Sequence, residues 1–150
     1  MIRIFFTILF VIACQFINGQ SVTTEKISIA YLNSDSFFDT VDDKGDIDNN
    51  YTPTGLLSWD SEKYSKRVED IASLIAGLNS DAPPVILVLS GIEKVDIAKD
   101  ILSSRKLRRS NYEIAASNFY PGSGFVILIE QGAAKLLESR VIVQQLNQAL

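Results

Sequence analysis

Apolar and polar positions follow different rhythms along this chain, and each rhythm predicts an element. From Lys26 to Leu32 they alternate, with Ile27, Ile29 and Tyr31 on one face, which predicts a first strand. Asn33 to Gly55 is rich in Asp, Asn, Ser, Gly and Thr and reads as a long loop, with Phe37-Phe38 pinning it to the body. The period then becomes helical: Tyr64, Val68, Ile71, Ile75 and Leu78 trace one face in steps of four, three, four and three. Asp60 is placed as the N-cap and Glu62 in the first turn, while Asn79-Ser80-Asp81 and Pro83-Pro84 stop the helix. Val85 to Leu89 is apolar without alternation, the pattern of a strand covered on both faces. Lys94 to about Arg108 predicts a second helix with Val95, Ala98, Ile101 and Leu102 inward. Tyr112 to Ala116 and Phe125 to Ile129 read as strands, joined by a turn over Tyr120-Pro121-Gly122-Ser123-Gly124. A last strand is expected around Val141-Ile142-Val143; Gln131 to Glu138 is ambiguous and residues 146–150 carry no signal. Helical connections early and hairpin connections late predict an α+β fold with one mixed sheet and two main helices.

The first residues stand apart from this body. Arg3 precedes an apolar run from Ile4 to Ala13, interrupted by Thr7 alone and too short to span a bilayer, and polarity returns at Gln15 and Asn18. Residues 1–19 therefore read as a secretory signal cut between Gly19 and Gln20. A second route is open: Val11-Ile12-Ala13-Cys14 is similar to a bacterial lipobox, with Cys14 as the lipidated first residue. The expected location is secreted or periplasmic, with a membrane anchor only through Cys14. Cys14 is the one cysteine, which excludes a disulfide or a cysteine metal site within one chain. Removing residues 1–19 takes away one Arg and no acid, so the net charge moves from −4 to −5. The one basic cluster, Arg105 to Arg109, reads as a solvated helix end, and no nucleic-acid ligand is predicted.

Three stretches are candidates for chemistry on their own residues. Asp46, Asp48 and Asn50 have the one-three-five spacing of a calcium loop, but Tyr51 stands at its glycine position and Leu57 at its closing Glu, so a solvated acidic loop is expected. Gly122-Ser123-Gly124 is too short to cradle a phosphate and reads as a hairpin turn. Ser90-Gly91 lacks the Gly-x-Ser-x-Gly frame of a nucleophile elbow, and the chain has no histidine to activate Ser90.

A longer series of motifs carries more. YLNSDSFFDT at residues 31–40, YTPTG at 51–55, WDSEKYSKRVEDIASLIAGL at 59–78, then PPVILVLSGIEK, NYEIAAS and GSGFVILIE follow one another. In this the chain resembles the first half of the endonuclease/exonuclease/phosphatase superfamily, the DNase-I-like metal-dependent phosphodiesterases, in its secreted bacterial form. The likeness spans roughly residues 27 to 143 and is most specific at Phe38-Asp39-Thr40, Thr52-Pro53, Trp59 and Tyr64. It implies that residues 20–150 form a single partial domain, half of an α/β/β/α sandwich.

The resemblance also implies a Mg²⁺ held by an Asn and a Glu near the first two strand ends, since a hard cation takes oxygen ligands. The Asn matches Asn33. The Glu falls on Gly91, which has no side-chain ligand. Glu93 matches a second Glu of the motif and could rescue the site if the backbone stays extended; otherwise it reads as an exposed acid in the first turn of the next helix. The family's next His falls at Ala116 or its neighbour, and an Asp falls on Phe125. No side chain in this stretch is an evident general base near neutral pH. No catalytic residue and no resident metal are therefore expected, with Asn33 and Glu93 as the motif-matched survivors.

Three functions are compatible with this pattern: a non-catalytic binding or structural domain, a residual Mg²⁺-dependent phosphoesterase using Asn33 and Glu93, or a decayed fragment with no selected role. Half of a sandwich would leave one sheet face apolar and bare, which monomers rarely tolerate. The face is therefore expected to meet a second copy of the chain or another protein, in preference to the third outcome, in which the chain's own helices and final segment fold over it.

Overall fold

The computed structural model describes residues 26–45, 47–79, 83–120 and 123–140. Strand β1 (Ile29–Phe37) is followed by helix α1 (Ser61–Ala76), β2 (Ile86–Ile92), α2 (Val95–Ser103), β3 (Tyr112–Tyr120) and β4 (Ser123–Glu130). The strands form one mixed sheet in the order β1-β2-β4-β3. β1 and β2 are parallel, and β4 runs antiparallel to both β2 and β3. The α+β arrangement of one mixed sheet and two helices is the one the residue pattern predicts. The strand expected at Val141-Ile142-Val143, the leader and Cys14 lie outside the described residues. No helix among the described residues is long and apolar enough to cross a membrane.

Both helices pack on one side of the sheet. From α1 come Val68, Ile71, Ala72 and Ile75, and from α2 Ile97, Ala98 and Ile101. They meet Leu87, Leu89 and Ile92 of β2 and Val126 and Leu128 of β4, with Ala30 and Leu32 of β1 at the margin. Residues that alternate with these point to the opposite face. There the pairing lays Tyr31, Val88, Ile127 and Ala116 in one row across all four strands. On the edge strand of that face Ile29 and Tyr31 are each 69% exposed. The alternating set Ile27, Ile29 and Tyr31 thus lies on the open face, and the core takes the smaller Ala30 and Leu32 instead.

Several boundaries differ from the sequence expectation, each for a local reason. β1 starts later than expected and continues to Phe37, so the long loop begins after it. β2 does not stop at Leu89 but carries Ser90, Gly91 and Ile92, because Ile92 pairs with both Phe37 and Gly124. α1 ends at Ala76, where the Gly77 amide closes the last turn on Ser73 and Leu74 carbonyls; Leu78 lies beyond the helix and is 41% exposed. α2 stops at Ser103 rather than near Arg108. The basic cluster follows it in turns, pinned by fully buried Leu107. β3 extends to Tyr120 and β4 begins at Ser123, so Tyr120, Ser123 and Gly124 belong to strands rather than to the turn.

The N-cap holds as expected: the Asp60 carboxylate accepts the Glu62 and Lys63 amides at 3.1 and 2.9 Å. Phe37 and Phe38 are buried and do pin the loop. Around them Tyr51 stacks 4.4 Å from Phe38, while Trp59 meets Tyr51 and Phe37 edge-on. Trp59 Nε1 donates to the Phe38 carbonyl at 3.1 Å, so the loop closes on its own base.

Candidate functional site

Parallel strands β1 and β2 end side by side, and their C-terminal ends meet the start of β4. An open depression of about 400 Å³ forms there, lined by Tyr31, Asn33, Asp35 and Ser36 from β1, Ser90 and Gly91 from β2, and Tyr120, Ser123, Gly124 and Phe125 from the β3–β4 end. This is where the sequence places the family's metal, and Asn33 and Gly91 are brought together as expected.

The backbone explains what became of the position. Asn33 pairs with Ser90 and Phe37 with Ile92, so three residues of β1 bulge outward opposite Gly91 alone. Asp35 and Ser36 take left-handed conformations at φ 53° and 57°, and Gly91 does so at φ 69°. A Cβ on Gly91 would stand 2.5 Å from Asn33 Oδ1, 3.0 Å from the Asp35 amide and 3.3 Å from the Ser36 amide. Asn33 Oδ1 already accepts the Asp35 amide at 3.1 Å, which holds the bulge in that place. Position 91 therefore lacks an acid, and a side chain there would be strained by the positive φ and would have to displace the Asn33 carboxamide.

Other contacts fix the same corner. Arg67 donates to the Ser34 carbonyl at 2.5 Å with its guanidinium 5.4 Å over the Phe37 ring. Ser34 Oγ donates to the Ser90 carbonyl at 2.6 Å, and Ser90 Oγ donates to the Tyr31 hydroxyl at 2.7 Å. Ser90 thus sits in a hydroxyl pair with no base beside it. Asp35, exposed, is the one carboxylate lining the depression among the described residues. A Mg²⁺ clamped between an Asn and a Glu from neighbouring strands does not fit these residues.

Glu93 does not rescue the position. The Gly91 bulge turns the chain, and Glu93 is absent from the lining of the depression. It is not the exposed first-turn acid expected for α2 either: it precedes the helix and is only 6% exposed. Its Oε2 accepts the Asp39 amide at 3.0 Å. Burial pushes its carboxyl up to about 7, against the opposing pull of the Asp39 amide and Lys94.

Glu93 belongs instead to a second polar cluster that sequence reasoning missed. The acidic loop folds back over the end of β2, placing Asp39, Asp43 and Asp48 beside Glu93 and Lys94. The Lys94 ammonium lies 2.6 Å from Asp43, 2.8 Å from Asp39 and 3.7 Å from Glu93. Burial works against its charge, but the bonds to Asp39 and Asp43 prevail and hold its pKa above the usual lysine range. Asp48 is 1% exposed and accepts the Asp43 amide at 3.0 Å, so the loop is not wholly solvated as expected. The available signal was the aromatic bracket of Phe38, Tyr51 and Trp59, which draws the loop against the body and buries Asp48, while Asp42 stays exposed.

The match to known proteins agrees with this geometry. No curated protein and no solved structure matches the chain. Residues 28–128 match the family model described as the Endonuclease/Exonuclease/phosphatase family, from the start of β1 to near the end of β4. The motif-bearing strand ends, the bulge over Gly91 and the helices behind the sheet all fall within that match, and the chain belongs to the endonuclease/exonuclease/phosphatase family.

Proposed function

We propose that this protein is a secreted, non-hydrolysing member of its family that works as a binding domain, pairing through the open face of its sheet with a second copy of itself. The observation that carries the loss of chemistry is the 2.5 Å approach of Asn33 Oδ1 to the missing Cβ of Gly91. A family enzyme needs an acid at that place to keep its cation, and here the Asn33 carboxamide stands in it, with the bulged backbone of β1 close behind. The chain also has no histidine, so no imidazole is at hand to deprotonate an attacking water.

The binding role is supported by the open face. Tyr31, Val88 and Ile127 form an apolar row, and the exposed Ile29 extends it at the edge. Two such faces are self-complementary about a two-fold axis, and sheets of this kind pack face to face about 10 Å apart. The leader-like residues 1–19 support secretion. Nothing in the geometry favours the residual phosphoesterase reading, since Asn33 and Glu93 serve different clusters.

Two measurements on the mature protein test this. Light scattering after size exclusion should give a dimer, and Val88→Lys with Ile127→Lys should give a folded monomer. A phosphodiester assay with Mg²⁺ or Mn²⁺ should show no turnover above buffer. A wild-type monomer would overturn the self-pairing, and metal-dependent turnover lost in Asn33→Ala would overturn the non-hydrolysing assignment.

A further inference from the structure

Asp43, Asp48 and Glu93 each offer a carboxylate oxygen, and these three atoms lie within 4.8 Å of one another. Two of the residues are more than nine-tenths buried and each keeps an oxygen without a partner: Asp48 Oδ1 and Glu93 Oε1. Their other oxygens are taken, by the Asp43 amide and the Asp39 amide. A buried carboxylate oxygen with no donor is costly, and two in one cluster compound the cost.

The charges do not balance locally. Among the described residues, four carboxylates, those of Asp39, Asp43, Asp48 and Glu93, face one ammonium, Lys94. That ammonium bonds Asp39 and Asp43 and stands 3.7 Å from the Oε2 of Glu93, not from its unpartnered Oε1. We propose that Asp43, Asp48 and Glu93 form a calcium site that fastens the acidic loop to the end of β2. The site lies apart from the Asn33 depression and involves no hydrolysis.

The chemistry favours calcium over magnesium. Calcium binds oxygens at about 2.3–2.6 Å, so two oxygens on one ion can lie up to about 5 Å apart, which the cluster meets as it stands. Magnesium holds oxygens at about 2.0–2.1 Å and would require the carboxylates to close further. Calcium also tolerates irregular, carboxylate-rich geometry of the kind a loop provides. Half of the Asp43 side chain is open to solvent, which gives the ion an entry path. The calcium-loop spacing of Asp46, Asp48 and Asn50 is a different ligand set; Asp48 is shared with it, and Asp46 lies outside the described residues.

The test uses the mature protein stripped with EDTA and titrated with Ca²⁺, Mg²⁺ or NaCl at equal ionic strength. Thermal midpoint and the fluorescence of Trp59, the one tryptophan, are read together. Calcium should raise the midpoint and saturate with a Kd of about 10⁻⁴–10⁻³ M, the range of extracellular modules. Magnesium should act at least about tenfold more weakly, and NaCl should give no saturable response. Asp48→Asn keeps the shape and an acceptor for the Asp43 amide; it should raise the EDTA midpoint and lose the calcium increment. Asn33→Ala should leave that increment unchanged. Terbium luminescence, displaced by calcium, gives a second readout should Asp48→Asn fold poorly. A calcium response absent from the wild type, retained in Asp48→Asn, or lost in Asn33→Ala would each overturn the site.

Discussion

Asn33 Oδ1 stands where a side chain of residue 91 would begin: a Cβ added to Gly91 would lie 2.5 Å from that oxygen, so a larger residue there requires Asn33 to turn aside. The two residues meet at the tips of two parallel strands, at the place where the family resemblance puts a metal ligand. It follows from the bulge of β1, whose Asp35 and Ser36 sit at positive φ. Left-handed backbone costs roughly 1–2 kcal/mol per non-glycine residue, so the corner stores strain that surrounding contacts must hold.

Gly91→Ala is therefore expected to cost about 2–4 kcal/mol, from the positive φ and the overlap together. Gly91→Glu should cost at least as much and should not restore metal-dependent hydrolysis. Because one of the clashing atoms is the Asn33 side chain, Asn33→Ala should recover part of the Gly91→Ala loss. Urea melts of the two single variants and the double variant measure this coupling, expected to exceed about 0.5 kcal/mol. Additive effects would show that Asn33 does not close the position.

Arg67 holds the bulge from the helix side, through the Ser34 carbonyl and the Phe37 ring. Arg67→Ala should destabilise the domain by about 1–3 kcal/mol, combining a charge-assisted hydrogen bond with a cation–π contact. Arg67→Lys should recover less than half, since an ammonium lacks the planar fork. The check is the shift in urea midpoint at unchanged slope.

Much of this fold is written locally. The Asp60 cap and the Val68, Ile71, Ile75 face of α1 depend on residues one or two turns apart, so spacing alone reveals them. The end of β2 is different: Ile92 is in a strand because Phe37 and Gly124 flank it, and both partners are distant in sequence. The vacant motif position at Gly91 was legible by its residue type, while its closure depended on the path of β1. Glu93 looked exposed because a helix N-terminus usually faces water. Its burial is decided by the acidic loop, which the aromatic bracket folds onto it.

Alkaline pH should weaken the domain through its tyrosines. Tyr112 donates its hydroxyl to the Pro84 carbonyl, and burial, helped by the charge of Glu130, pushes its phenol up to about 12. Burial also raises Tyr64, with Asp100 accepting its hydroxyl at 2.6 Å. The folded state thus favours the protonated phenol. The stability is fully present below the unfolded value of about 10 and is lost as pH rises toward 12, by up to about 3 kcal/mol for Tyr112. Urea midpoints between pH 9 and 12 check this, and Tyr112→Phe should flatten the decline.

The closed metal position is tested most directly by anomalous diffraction at the manganese edge from crystals soaked in Mn²⁺. No ion is expected within bonding reach of Asn33 Oδ1 or the Asp35 carboxylate, and the bulge over Gly91 should stay as described. An ordered manganese ion coordinated by Asn33 would show that the cation seat survives without an acid at residue 91.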